Sequence, residues 1–165
     1  MKKLISLMLA VLTMLGMLAS CAEETPKGSS FRPFAVGGVT VTPDAEAAGI
    51  IEALGEPKAF AETGSCYGDG KDKVYQYVSY KIMTYSKAGK DYILSVEIYD
   101  DADDTVATPE GVRVGDHAET VIARHGTPSS KTDLQIVYLD AESGTKLQFL
   151  LRDGKVTNIQ YLKTK

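Results

Sequence analysis

The sequence predicts an α+β fold made of two tandem helix-plus-antiparallel-meander repeats, with the helices packed on one face of the sheet. Three observations predict it. A Gly-Val-x-Val stretch leads into a helical segment twice, at Gly38-Val39-Thr40-Val41 and at Gly111-Val112-Arg113-Val114. Both helical segments stop at Gly-x-Pro, Gly55-Glu56-Pro57 and Gly126-Thr127-Pro128, where glycine supplies a left-handed stop and proline prevents continuation. Three strand-like runs then follow in each half.

The first helix is expected to start at Thr42-Pro43, a cap followed by a proline suited to the first turn, and the second at Asp116 with Glu119 three residues on. Ala47, Ile50, Ile51 and Leu54, and then Ala118, Val121 and Ile122, recur at helical spacing and give each helix one apolar face. The predicted strands are Lys73–Val78, Tyr80–Tyr85 and Tyr92–Tyr99 in the first half, and Leu134–Leu139, Lys146–Leu151 and Val156–Leu162 in the second. Ala88-Gly89-Lys90 and Asp153-Gly154-Lys155 are hairpin turns between the last two strands of each set. Alternation of Leu94, Val96 and Ile98 with Ser95, Glu97 and Tyr99 buries one face of the sheet and leaves the other wet.

The N-terminus carries Lys2 and Lys3, then an apolar run from Leu4 to Leu18, then Ala19-Ser20-Cys21. A basic start, a short apolar run and small residues before a cysteine resemble a bacterial lipoprotein signal peptide, cut before Cys21 and lipidated on it. The run is shorter than the roughly twenty residues a membrane span needs. Diacylglyceryl on Cys21 would anchor the chain to the cell membrane, facing outside the cytoplasm. The expected organisation is a signal peptide over 1–20, lipidated Cys and flexible tether over 21–36, and the two repeats over 37–104 and 105–165. Without its first twenty residues the chain has 16 basic and 22 acidic side chains. That balance argues against nucleic acid as a partner.

The pattern Gly115-Asp116, Val121-Ile122, His125-Gly126-Thr127-Pro128, Tyr138, Leu147-Gln148-Phe149, Asp153-Gly154-Lys155-Val156 and Ile159 resembles the beta-lactamase-inhibitor-protein-like fold, shared by small outer-membrane assembly lipoproteins of the SmpA/OmlA type. The stretch Ser65-Cys66-Tyr67-Gly68-Asp69-Gly70, with Tyr75-Gln76-Tyr77, Thr84-Tyr85 and Thr108-Pro109-Glu110-Gly111, resembles uncharacterised lipoproteins of Gram-positive gut bacteria. The resemblance implies a Gram-positive host and the fold, and it carries no particular role.

Chemistry-bearing residues are sparse. His117 and His125 lie eight residues apart, too far along a helix for one metal site, and read as solvated positions. Asp100-Asp101-Ala102-Asp103-Asp104 lacks the glycine and the downstream glutamate of a calcium loop, and reads as an acidic connector. Cys66 has no partner cysteine once Cys21 is lipidated, and no nucleophile motif frames it. No metal and no cofactor is expected, and the chain is not expected to be an enzyme. Eight of the nine tyrosines fall on strands or their ends, which suits either a half-buried sheet or a recognition surface.

The reading is therefore a lipid-anchored extracytoplasmic binding or scaffolding module. It recognises a protein or envelope component through the wet sheet face, at Glu97, Tyr99, Gln148, Asn158 and Gln160. The alternatives are an envelope enzyme using Cys66 as nucleophile and a protein inhibitor of an extracellular enzyme.

Overall fold

Two tight turns set the long hairpins. Ala88 and Gly89, and Asp153 and Gly154, all have positive φ, the backbone of the two-residue turn whose twist matches that of its strands. The first joins β5 (Tyr80–Lys87) to β6 (Lys90–Ile98), and the second joins β9 (Thr145–Arg152) to β10 (Lys155–Lys163). The computed structural model describes residues 31–65, 67–100 and 106–164. The signal peptide, Cys21, Cys66 and Asp101 to Asp104 lie outside the described residues.

Around these hairpins the chain adds β1 (Phe34–Val36), β2 (Val39–Val41), α1 (Ala48–Leu54), β3 (Ala59–Gly64), β4 (Lys71–Gln76), α2 (Ala118–His125), β7 (Ser130–Lys131) and β8 (Gln135–Asp140). β1 and β2 form a small hairpin of their own. The other eight strands make one antiparallel sheet in the order β3-β4-β5-β6-β10-β9-β8-β7.

This corrects the expected fold class. The chain is mostly β, with two short helices on an eight-stranded antiparallel sheet, and is not two tandem helix-plus-meander repeats. The reason lies where β6 meets β10. Ile98 faces Ile159 and Val96 faces Tyr161 across that seam, so an apolar stripe continues across it. Tyr80, Ile98, Ile159, Phe149 and Ile136 stand in successive register, as do Ile82, Val96, Tyr161, Leu147 and Tyr138. All ten are buried in a single core. Burying each aliphatic or phenyl side chain contributes about 1.5–3 kcal/mol, an incentive that favours joining the strands over closing two separate units.

The helices begin later than the capping residues suggest. Before α1, Asp44 N–H donates to Ile93 O at 2.7 Å and Ala47 N–H to Asp91 O at 2.8 Å, while Ile93 N–H donates back to Ala45 O at 2.9 Å. Before α2, Gly115 N–H donates to Val156 O and Ala118 N–H to Gly154 O. The backbone that would have formed a first helical turn is spent on pairing with β6 and β10. Neither helix has a side-chain cap, and α1 has no fully buried residue. Both stop as expected, at Gly55 and Gly126 with positive φ. A tyrosine from the sheet fastens each end, Tyr77 Oη donating to Gly55 O at 3.4 Å and Tyr138 Oη to Gly126 O at 3.0 Å.

Candidate binding face

One face of the sheet holds the core, and no described element covers the other. Across it, Gln76, Lys81, Glu97, Gln160, Gln148 and Val137 stand in register on six successive strands. Beside them run Val74, Met83, Ser95, Leu162, Lys146 and Leu139. Most of these are partly exposed; Ser95 and Val137 are buried, and Leu139 is 42% exposed.

The polar row is cross-linked. Lys81 Nζ lies 2.8 Å from Glu97 Oε2, and Asn158 Nδ2 donates to Glu97 Oε1 at 2.7 Å. Gln148 Nε2 donates to Gln135 Oε1 at 2.8 Å. Four of the five residues read from the sequence, Glu97, Gln148, Asn158 and Gln160, thus sit together on the open face. Tyr99 lies just past the end of β6. Its hydroxyl donates to Tyr77 O at 2.7 Å and its N–H to Ser79 O at 3.0 Å, so it clips the turn between β4 and β5. Lys81 and Gln135 were missed, although the same alternation on their own strands places them on this face.

Two bulges adjust the pattern. Met83 pairs with Ser95 but Thr84 with Ile93, leaving Leu94 as the extra residue. Ile93 therefore enters the core at 0% exposure, and Leu94, expected beside Val96 and Ile98, is only partly buried. Likewise Val156 pairs with Leu151 but Asn158 with Leu150, so Thr157 is extra. That shift returns Val156 to the core and keeps Asn158 on the open face.

The tyrosines serve mainly the core. Tyr77, Tyr80, Tyr85, Tyr138 and Tyr161 are all buried, and Tyr77 stacks on Tyr80 at 4.7 Å. Burial pushes the Tyr138 phenol up to about 12 and that of Tyr161 higher still. The loop before β4 is also fixed: Ser65 Oγ donates to Asp72 Oδ1 at 2.6 Å and Asp69 N–H donates to Ser86 O at 3.1 Å. Gly68 lies so close that a Cβ there would stand 1.9 Å from Ser86 O.

On the core side a second polar group forms. The His125 side chain is 2% exposed, with Nε2 3.6 Å from Glu110 Oε2 and 3.4 Å from Thr108 Oγ1, so it is not the solvated helix position its sequence suggests. His117 is exposed. Arg32 Nε lies 3.0 Å from Glu110 Oε1, and Arg124 Nη1 donates to Glu110 O at 3.1 Å. Burial lowers the His125 pKa; nearby Glu110 opposes that shift and Arg32 adds to it. Only the folded contacts bring these residues together, because Arg32 and Glu110 are 78 positions apart.

An open groove of about 450 Å³ beside β7 is lined by Glu119, Lys131, Thr132, Asp133, Leu134 and Asp153, among others. Thr132 Oγ1 there accepts the N–H groups of Leu134 and Gln135, the work of a turn. Among the described residues no three His, Cys, Asp or Glu side chains form a metal-binding group. No helix among them is long and apolar enough to cross a membrane.

No protein-family model and no curated protein sequence matches the chain. Among solved structures it is similar to an extracellular protein containing an SCP domain from Bacillus anthracis, at 12% identity and a TM-score of 0.49, over 80% of this chain and 48% of that one. It is similar also to a cysteine-rich secretory protein from Staphylococcus aureus, at 16% identity and a TM-score of 0.49, over 82% and 48% of the two chains. The chain spans about half the length of each. The resemblance to beta-lactamase-inhibitor-like and SmpA/OmlA-type lipoproteins read from the sequence is corrected: a single eight-stranded sheet stands in place of the tandem helix-plus-meander repeats that carried it, and the solved structures named here are an SCP-domain and a cysteine-rich secretory protein.

Proposed function

We propose that this chain is an extracytoplasmic recognition module that captures a protein or envelope component through the open face of its sheet. A lipid on Cys21 holds it at the membrane, and the module binds without catalysing a reaction. The observation that carries the reading is the open face itself, where the Lys81–Glu97–Asn158 and Gln148–Gln135 contacts lie alongside partly exposed Val74, Met83, Leu139 and Leu162. Apolar area with ordered polar groups beside it is the composition of recognition surfaces. The N-terminal order of charge, apolar run, small residues and cysteine supports export and anchoring.

The test is position-dependent photo-crosslinking in intact cells. A crosslinker at Leu139 or Lys146, on the same face, should give the same adduct, and one at exposed Glu52 on α1 should not. Replacing Glu97, Gln148, Asn158 and Gln160 together by alanine should reduce that adduct at least tenfold. Because these side chains are partly buried and hydrogen-bonded to one another, circular dichroism and a melting curve of the variant should accompany the readout and show the fold retained. An adduct that forms from α1 and survives the four replacements would overturn the proposal.

A further inference from the structure

The two edges of the sheet differ. β7 has only two residues, whereas β3 presents a regular run of six from Ala59 to Gly64, paired among the described residues with β4 on one side only. All six are exposed, Phe60 at 52%. Sheet edges are ordinarily blunted by a bulge, a proline or a very short strand. β3 contains neither bulge nor proline.

Its hydrogen-bonding phase follows from the neighbouring bonds. Ser65 N–H donates to Gly70 O at 3.2 Å, and Ser65 with Gly70 continues the register that pairs Thr63 with Asp72 and Ala61 with Val74. In an antiparallel ladder alternate residues bond to the same neighbour. Ala59, Ala61 and Thr63 are therefore bonded to β4, and the N–H and C=O groups of Phe60, Glu62 and Gly64 point outward.

We infer that β3 is a homodimerisation strand, pairing antiparallel with β3 of a second copy about a two-fold axis at Ala61. In this register Phe60 bonds to Glu62 of the other copy and Glu62 to its Phe60, with Lys58 and Gly64 paired at the ends. Every outward backbone group of β3 finds a partner. The charges agree: Lys58 lies diagonal to the other copy's Glu62, and the two Phe60 side chains are diagonal neighbours on the same face, within reach of one another. A register centred on Glu62 would instead set two carboxylates face to face, which is destabilising. The strand is self-complementary, and centring on Ala61 rather than on Phe60, which would set Lys58 opposite Glu62 but Gly64 opposite Glu56 beyond Pro57, keeps the ladder within residues 58–64; this favours a second copy over an unrelated peptide. The pairing concerns the edge and stands independently of what the open face captures, though it would join two such faces into one surface.

The test uses the exported full chain in detergent, in a Cys66→Ser background run alongside as baseline. Sedimentation should show a monomer giving way to a dimer as concentration rises. Ala61→Cys should form an intermolecular disulfide under mild oxidation, because the two residues face each other as a non-bonded pair with Cα atoms about 4.5 Å apart. Thr63→Cys should not, since its counterpart lies four residues along the strand, about 14 Å away. Glu62→Pro, which deletes an outward N–H at a place where an edge strand tolerates proline, should weaken dimerisation at least tenfold. A chain that stays monomeric at tens of micromolar with no Ala61→Cys link overturns the inference. So does equal linking at Thr63→Cys, or a monomer that takes up an extended peptide along β3 instead.

Discussion

Tyr138 and Tyr161 both face Leu147, from opposite sides, and both side chains are fully buried. Their hydroxyls differ in one respect. Tyr138 Oη donates to Gly126 O at 3.0 Å, whereas Tyr161 Oη has no hydrogen-bond partner among the described residues. Removing the same atom from each should therefore act in opposite directions. Tyr138→Phe gives up a buried hydrogen bond worth about 1 kcal/mol net, and loosens the end of α2. Tyr161→Phe removes a desolvated hydroxyl that gains nothing in return. Leaving such a group unpaired costs about 1–3 kcal/mol, and part of that should be recovered, about 1 kcal/mol. The two variants should then differ by about 2 kcal/mol, or roughly 6 °C in melting temperature for a domain of this size. Urea unfolding followed by far-ultraviolet circular dichroism and by tyrosine fluorescence would measure it, with coincident transitions as the check on two-state behaviour. If Tyr161→Phe loses 1 kcal/mol or more, the hydroxyl has a partner and the reasoning fails. Equal shifts in the same direction would refute it as well.

His125 should make the fold acid-sensitive. Burial depresses its folded-state pKa below the ordinary imidazole value of about 6.5, so the unfolded chain binds the proton more readily, and the associated stability is complete above that value and lost as pH falls below it. The urea midpoint should drop between about pH 7.5 and 5.5, with a slope of at most about 1.4 kcal/mol per pH unit from this group. His125→Gln should flatten that drop, and an unchanged pH profile in the variant would count against the assignment. Cys21→Ser should leave an unprocessed, unlipidated precursor, and normal processing with membrane retention in that variant would mean a different anchor.

Much of the local structure was legible in the sequence. The six predicted strands match β4, β5, β6, β8, β9 and β10 to within two residues at every end, because period-two alternation and the Ala-Gly and Asp-Gly turns act over a few residues. The helix stops at Gly55 and Gly126 were legible for the same reason. The helix starts were not. Thr42 and Asp116 carry sound capping chemistry, but the following backbone pairs with β6 and β10, strands far away in the chain. β3 escaped notice because Ala-Phe-Ala-Glu-Thr-Gly has one strongly apolar residue, and its strand state rests on the ladder to β4. On the open face, alternation alone located Glu97, Gln148, Asn158 and Gln160. Tyr99 follows the end of β6, and its hydroxyl is held by a turn some twenty residues earlier, a contact that alternation does not reveal.

By itself, then, the sequence determined the strands, the hairpin turns, the helix stops and the alternation that separates a buried face from an open one, since each depends on contacts among near neighbours. Tertiary structure alone decided that β6 and β10 join, that Leu94 and Thr157 are bulged out, and that His125 is buried against Glu110. These outcomes depend on which apolar stripes meet across the chain. Continuing one stripe from Tyr80 to Ile136 buries more apolar surface than two separate sheets could, and the bulges and the histidine take the positions that this single core leaves them.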